Sequence, residues 1–183
     1  MVISNFIAAV FDNLLREAAV LPQWYALQIR YQREKKALLQ LSHNGIQTFL
    51  PSHTEVHRWT DRNRTVEVPM FSGYGFVQTN LSEAIRLHVL QTEGVLGFVA
   101  VHGKAIPIPD KQIEDLRLLV AKRIICAVHA SPTTGQRVRI RGGCLDGLEG
   151  IVANVREDRM FVSLSALDRS LAICIQGYLL EAV

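Results

Sequence analysis

Hydrophobic and polar positions change period several times along this chain. Over 24–30, Tyr25, Leu27 and Ile29 alternate with Gln28 and Arg30, which predicts a strand, because successive strand side chains point to opposite faces. Over 33–44 the pattern turns helical: Ala37, Leu38 and Leu41 fall on one face, and Asn44-Gly45 supplies a C-terminal stop. A short strand follows at 46–50, closed by Pro51. Segments 53–59 and 65–69 read as the arms of a hairpin with a polar tip at 61–63. Next come an apolar strand at 74–79, a helix at 82–92 with Ser82 as its N-cap, and a strand at 95–101. Gly103 opens a loop containing Pro107 and Pro109. Asp110 caps a last helix, on which Ile113, Leu116, Leu119, Val120 and Ile124 form one stripe. At 130–135 the run Ala-Ser-Pro-Thr-Thr-Gly breaks the pattern and reads as a linker. Beyond it only strand alternation remains. Val138 and Ile140 alternate with Arg137, Arg139 and Arg141, and the same period recurs in Met160, Val162, Leu164 and in Leu171, Ile173, Ile175. Short strands between glycine turns, within about 50 residues, imply a small closed β-barrel. The expected layout is an extension at 1–22, an α+β domain at 23–128, a linker at 129–134 and a β domain at 135–183.

Composition changes this picture little. The 183 residues leave room for one domain or two small ones, and the balance of 49% hydrophobic to 20% charged is that of a soluble globular chain. The net charge of +3 does not by itself mark a nucleic-acid binder. Its surplus lies in residues 1–134, with 14 Lys/Arg against 11 Asp/Glu, whereas 135–183 holds six against six. Residues 1–22 are mostly apolar, but Asn5, Asp12, Asn13, Arg16 and Glu17 interrupt them, so no uncharged stretch reaches the ~20 residues of a membrane span. No basic segment precedes the apolar part, which argues against a signal peptide. The extension reads as a short amphipathic helix near 5–19 on a cytoplasmic, monomeric protein. Cys126, Cys144 and Cys174 are odd in number and not at metal spacing, and they read as small buried hydrophobes in a reducing compartment.

Catalytic chemistry does not assemble. In His53-Thr-Glu55-Val-His57 the two histidines sit four residues apart on an expected strand, ~13 Å from each other, too far to share one ion through bonds of ~2 Å. No nucleophile elbow, phosphate loop or dinucleotide fingerprint is present. The expectation is a non-enzyme without metal or cofactor. Two other segments stand out. In Pro69-Met-Phe71-Ser-Gly73-Tyr-Gly75-Phe-Val77, Phe71, Tyr74 and Phe76 crowd together; with Trp24 and Tyr25 they are five of thirteen aromatics. They read either as an aromatic core or as anchors for a protein partner. In 143–155, Gly143, Gly147 and Gly150 shape a turn-strand unit. Arg58, Arg62 and Arg64 cluster at the hairpin, with Arg33, Lys35 and Lys36 on the first helix; they form either a solvated face or a contact for a nucleic-acid backbone.

In order along the chain stand Trp24-Tyr-Ala-Leu, Gly45-Ile-Gln-Thr-Phe-Leu-Pro51, Trp59-x-x-Arg62, the segment from Pro69 to Val77, Gly94-Val-Leu-Gly-Phe-Val99 and Pro107-Ile-Pro109. This series resembles the N-terminal (NGN) domain of the NusG/Spt5 family. Gly135-Gln-Arg-Val-Arg-Ile140, the glycine unit at 143–155, Val162-Ser-Leu and Arg169-Ser-Leu-Ala172 resemble its SH3-like KOW barrel. The resemblance covers 23–183. It implies an antiparallel sheet flanked by helices that docks on the clamp helices of the largest RNA polymerase subunit, through Trp24, Tyr25, Phe71 and Tyr74. Such a factor opposes pausing or termination and recruits a ribosomal protein or a termination factor through the KOW domain; for a factor of this kind the functional reading of Arg58, Arg62 and Arg64 is contact with upstream DNA or the displaced strand. The Trp59-x-x-Arg62 segment and the neutral KOW half resemble specialised paralogues that act as antiterminators. Ser72 and Cys144 stand where family members carry proline, which would loosen both turns without changing topology. Some paralogues hold the KOW domain against the docking patch, even refolded as helices; the alternation over 171–175 favours strand here. The competing reading, an RNA-binding or ribosome-associated KOW module, expects a strongly basic barrel, which 135–183 is not.

Overall fold

The computed structural model describes residues 21–58, 63–132, 134–153 and 158–183. The expected helix at 5–19 and the hairpin tip carrying Arg62 lie outside the described residues. Strand β1 (Gln23–Ile29) is the centre of the first half. It pairs antiparallel with β5 (Tyr74–Thr79), and β5 pairs on its other side with β2 (Gln47–Phe49). β6 (Val95–Phe98) and β9 (Pro107–Ile108) both pair along the remaining edge of β1. Alternation along β1 decides two cores. Tyr25, Leu27 and Ile29 face helices α1 (Glu34–His43) and α2 (Glu83–Leu90), joining Leu38, Leu41 and Val89. Trp24 and Ala26 face the opposite way, toward helix α3 (Asp110–Ala121) and its stripe of Ile113, Leu116 and Leu119.

Local elements follow the pattern with several differences, among them β9, a strand within the expected proline loop. The hairpin β3 (Ser52–Arg58) and β4 (Asn63–Pro69) forms a separate two-stranded ribbon. The strand expected over 95–101 breaks after Phe98, and β7 (Ala100–Val101) instead pairs with β8 (Lys104–Ala105) around His102-Gly103. Both turn residues take positive φ, the geometry a two-residue hairpin loop demands. The expected side-chain caps are also absent: Ser82 occupies the N-cap position without a capping hydrogen bond, and α3 begins at Asp110 with Pro109 as its N-cap.

The second half is one antiparallel sheet in the order β10-β14-β13-β12-β11-β15. Its strands are β10 (Ala127–Ala130), β11 (Gln136–Arg141), β12 (Glu149–Val152), β13 (Arg159–Leu164), β14 (Arg169–Cys174) and β15 (Leu179–Ala182). Val138, Ile140, Leu148, Met160, Val162, Leu164, Leu171 and Ile173 fill its core. The segment at 169–174 is strand, in keeping with its alternation. Residues 127–130, expected partly in the first domain and partly in the linker, add a strand to this sheet. The cysteine reading needs correction: Cys126 is half-buried, but Cys144 and Cys174 are exposed. Cys174 ends β14 and Cys144 sits in a surface turn, positions that local hydropathy does not distinguish from core.

Candidate functional site

The turn at 71–74 organises the aromatic segment. The Tyr74 N–H donates to the Phe71 carbonyl at 3.1 Å, and Gly73, third in the turn, has φ +81°. This is the type II arrangement, which favours proline at the second position and glycine at the third; Ser72 occupies the former. Two bonds substitute for proline's rigidity. The Ile29 N–H donates to the Gly73 carbonyl at 2.8 Å, and the Gly73 N–H donates to Glu34 Oε1 at 2.8 Å. Glu34 is buried, so α1 holds this turn through a charge-assisted bond. The sequence pattern placed Glu34 on a helix terminus with no signal that its carboxylate would turn inward.

Of the four expected anchors, the structure brings three together. Trp24 and Phe71 are 3% and 4% exposed, and Tyr74 is half-buried; all three belong to the core on the α3 side of the sheet. Phe71 meets Phe76 edge-on at 6.3 Å, and Phe76 meets Phe49 at the same centroid distance. The Arg117 guanidinium of α3 stands 5.1 Å from the Trp24 ring centroid and 5.5 Å from that of Phe49, a pair of cation–π contacts. Arg117 is a second residue that sequence reasoning missed. Tyr25 faces away, into the α1/α2 core, where it meets Phe98 edge-on at 6.1 Å and donates to Gln23 Oε1 at 3.2 Å. Burial raises its phenol pKa above the ordinary value. Neighbouring strand positions cannot share a face, so Trp24 and Tyr25 divide between the two cores.

The basic cluster is partly neutralised. Lys35 pairs with Glu67 at 3.0 Å and Lys36 with Glu93 at 2.7 Å, all exposed. Lys36 holds the Glu93 carboxyl below its usual range, first through their hydrogen bond and then through its charge. Arg58 and Arg64 sit on the paired arms of the hairpin near its tip, opposite Asn63 and His57; Arg62 lies outside the described residues. His53 pairs with Glu55 at 2.7 Å.

In the barrel, Gly142 and Gly143 lead into a single 3-10 turn (Gly143–Leu145) that buries Leu145, and Gly147 (φ +83°) returns the chain to β12. The Gly147 N–H donates to the Ile140 carbonyl at 2.9 Å, and Asp146 Oδ1 accepts from the Gly142 N–H at 2.6 Å. The glycine turn also meets the first half. Lys111 of α3 donates to the Gly147 carbonyl at 3.1 Å and pairs with Asp115. Gln112 Oε1 accepts from both the N–H and the hydroxyl of Ser165, at 3.3 and 3.2 Å. Burial raises the Asp115 carboxyl pKa, against the pull of Lys111. The barrel thus packs against the first turn of α3, on the side of the sheet that carries Trp24, Phe71 and Tyr74, and the apolar interiors of the two halves are continuous.

Among the described residues no three His, Cys, Asp or Glu side chains converge as a metal site, and no helix is long and apolar enough to cross a membrane. A NusG protein of Lactococcus lactis, named as a transcription termination/antitermination protein, is 23% identical over 172 residues, spanning 87% of this chain and 92% of the relative. A protein of the same name from Borreliella burgdorferi is 26% identical over 155 residues, spanning 74% and 84%. Among solved structures, one described as domain interaction in Thermotoga maritima NusG aligns over 88% of this chain and 93% of its own, at 16% identity and a TM-score of 0.47. The NusG family model, described as transcription termination factor nusG, matches residues 22–117, the sheet domain from the start of β1 to Arg117 itself, and on that match over more than half its length the chain belongs to the NusG family.

Proposed function

We propose that this protein is a non-enzymatic transcription elongation and antitermination factor that binds RNA polymerase through its first domain and a second protein through its barrel. The family match over 22–117 carries this reading. The shared face of Trp24, Phe71 and Tyr74 supports it, because an aromatic-walled sheet face suits capture of a helical tip. On this reading Tyr74, half-buried, touches the polymerase clamp helices. Trp24 and Phe71 hold it from below, and Tyr25 supports the sheet from the opposite core. The barrel lies on the same side, so docking requires it to move. Upstream DNA passes the hairpin arginines Arg58, Arg62 and Arg64. The neutral barrel, with Arg139 paired to Glu149 and Arg141 to Glu181, favours a protein partner over RNA, either a ribosomal protein or a termination factor. It also fits a specialised antiterminator paralogue.

The test is affinity of the full chain for core RNA polymerase, wild type against Tyr74→Ala and Tyr25→Phe. Truncating an aromatic anchor typically removes about 2 kcal/mol, more than tenfold in affinity. Tyr74→Ala is expected to lose that much and Tyr25→Phe nothing. Absence of wild-type binding, under conditions where the barrel has been released, would overturn the function. Equal binding of Tyr74→Ala would leave the function standing and move the site.

A further inference from the structure

We propose that β10 is a detachable strand whose docking on β14 sets the length of the tether between the two halves, and so how firmly the barrel stays on α3. The consequence for polymerase access rests on the docking reading above; the structural device does not. β10 is the end strand of its sheet, paired to β14 in the register Ala127–Ala172, Val128–Leu171, His129–Ser170 and Ala130–Arg169. All four of its residues are exposed, Val128 by 44%, whereas four of the six residues of β14 are buried. Backbone hydrogen bonds at a solvated edge therefore hold most of β10, and such bonds contribute little net stability each. Segments with little apolar burial and exposed backbone bonds open before the core does.

Side-chain contacts give the strand a defined docked state. His129 meets Phe161 edge-on at 5.9 Å. The buried Ser170 hydroxyl donates to Ser131 Oγ at 3.0 Å, just beyond the end of β10. Departure leaves no buried orphan, because Ser163 Oγ remains 3.4 Å from Ser170 Oγ on the other side. A buried polar group that keeps a second partner makes release cheap.

The tether supplies the coupling. With β10 docked, only residues 122–126 join the end of α3 to the barrel sheet. With β10 released, the free segment runs from 127 to 135 and spans about 16 Å root-mean-square, because the N–H groups of Lys122, Arg123 and Ile124 stay bonded to carbonyls of α3 and Cys126 stays half-buried. The effective concentration of a tethered module falls at least as the −3/2 power of tether length beyond the matching span. The polar contacts between the halves include Lys111 on the Gly147 carbonyl and Gln112 on Ser165. These polar contacts join groups that water would otherwise satisfy, and they act beside the apolar interior that the two halves share, so the tether length shifts a balance that burial also sets.

Hydrogen exchange on the full-length wild type tests the strand directly. The amides of β10, and those of β14 that bond to it, are expected to exchange through openings at least tenfold more often than the amides joining β13 to β14. Equal protection of the two sets would overturn the proposal. Alternate amides of β10 face β14, so one of Val128→Pro and His129→Pro necessarily removes a ladder donor. That variant is expected to keep the β13–β14 protection while its radius of gyration in solution rises by several ångströms above the ~16 Å of a compact chain of this length. An unchanged radius with β10 shown to be released would also overturn it. Should a proline variant unfold the barrel, Ser131→Ala replaces it: β10 exchange accelerates severalfold while the β13–β14 amides stay unchanged. None of these readouts involves polymerase, so the strand and the docking reading fail separately.

Discussion

Gly150→Ala probes how the barrel is packed. Gly150 lies on β12 opposite Val138 of β11. A β-carbon there would stand 2.6 Å from Met160 Cγ and 2.7 Å from the Phe161 carbonyl oxygen. Met160 is fully buried, and the Phe161 backbone, whose carbonyl is the second close atom, is held in the ladder opposite Ala172 of β14. The clash is relieved only by moving β12 away from β13. Overpacking of this kind costs about 1–3 kcal/mol, with backbone atoms placing it at the upper end; losing glycine's unfolded-state entropy returns roughly 0.5–1 kcal/mol. The net expectation is a destabilisation of about 2 kcal/mol, or roughly 8–16 °C for a small domain. Gly147→Ala is the control. Its β-carbon would meet nothing within 4 Å, so its φ of +83° is the whole penalty, about 1 kcal/mol. The assay is calorimetric unfolding of the full chain. Both tryptophans, Trp24 and Trp59, belong to the first half, so fluorescence follows that half and calorimetry adds the barrel. A Gly150→Ala variant within about 0.5 kcal/mol of wild type, or milder than Gly147→Ala, would refute the close-approach reasoning, since surface-like substitutions fall in that range.

Three further outcomes are expected. Burial pushes the Cys126 thiol up to about 11, so maleimide labelling at neutral pH should modify exposed Cys144 and Cys174 at least about a hundredfold faster than Cys126; equal rates would show that Cys126 is open to solvent. The hydrogen bond from Arg139 is the main cause that holds the Glu149 carboxyl below its ordinary range. A depressed folded-state pKa contributes stability above the unfolded value, which is lost as pH falls through the folded one. Glu149→Gln should therefore lower the melting temperature slightly at pH 7, by about a degree or two for a partly solvated pair, and the difference should vanish in acid; a gap that persists at low pH would mean that packing, not charge, is at stake. Reversing Arg58, Arg62 and Arg64 together should weaken binding to a transcribing complex in a salt-dependent way, and unchanged binding at low salt would remove DNA contact from the function.

The sequence by itself determined most of the elements and the family, because these rest on short-range patterns: alternation in β1, β11, β13 and β14, the stripe on α3, and glycines in turns. It also contained the division of Trp24 from Tyr25, since adjacent strand positions face opposite ways. It did not say which side each would find covered. Burial of Trp24 and Phe71 depends on α3, more than thirty residues away in sequence, and Arg117 reaches the aromatic face only because α3 crosses it. Glu34 turns inward to meet the Gly73 amide, a partner created by the turn rather than by neighbours in sequence. Strand β10 is the clearest case of tertiary decision. Ala-Val-His-Ala has no hydrophobic period to read, and the strand exists because β14 offers an unpaired row of backbone donors and acceptors. Backbone hydrogen bonds are the same for every residue type, so the element they create leaves no mark in the pattern of side chains.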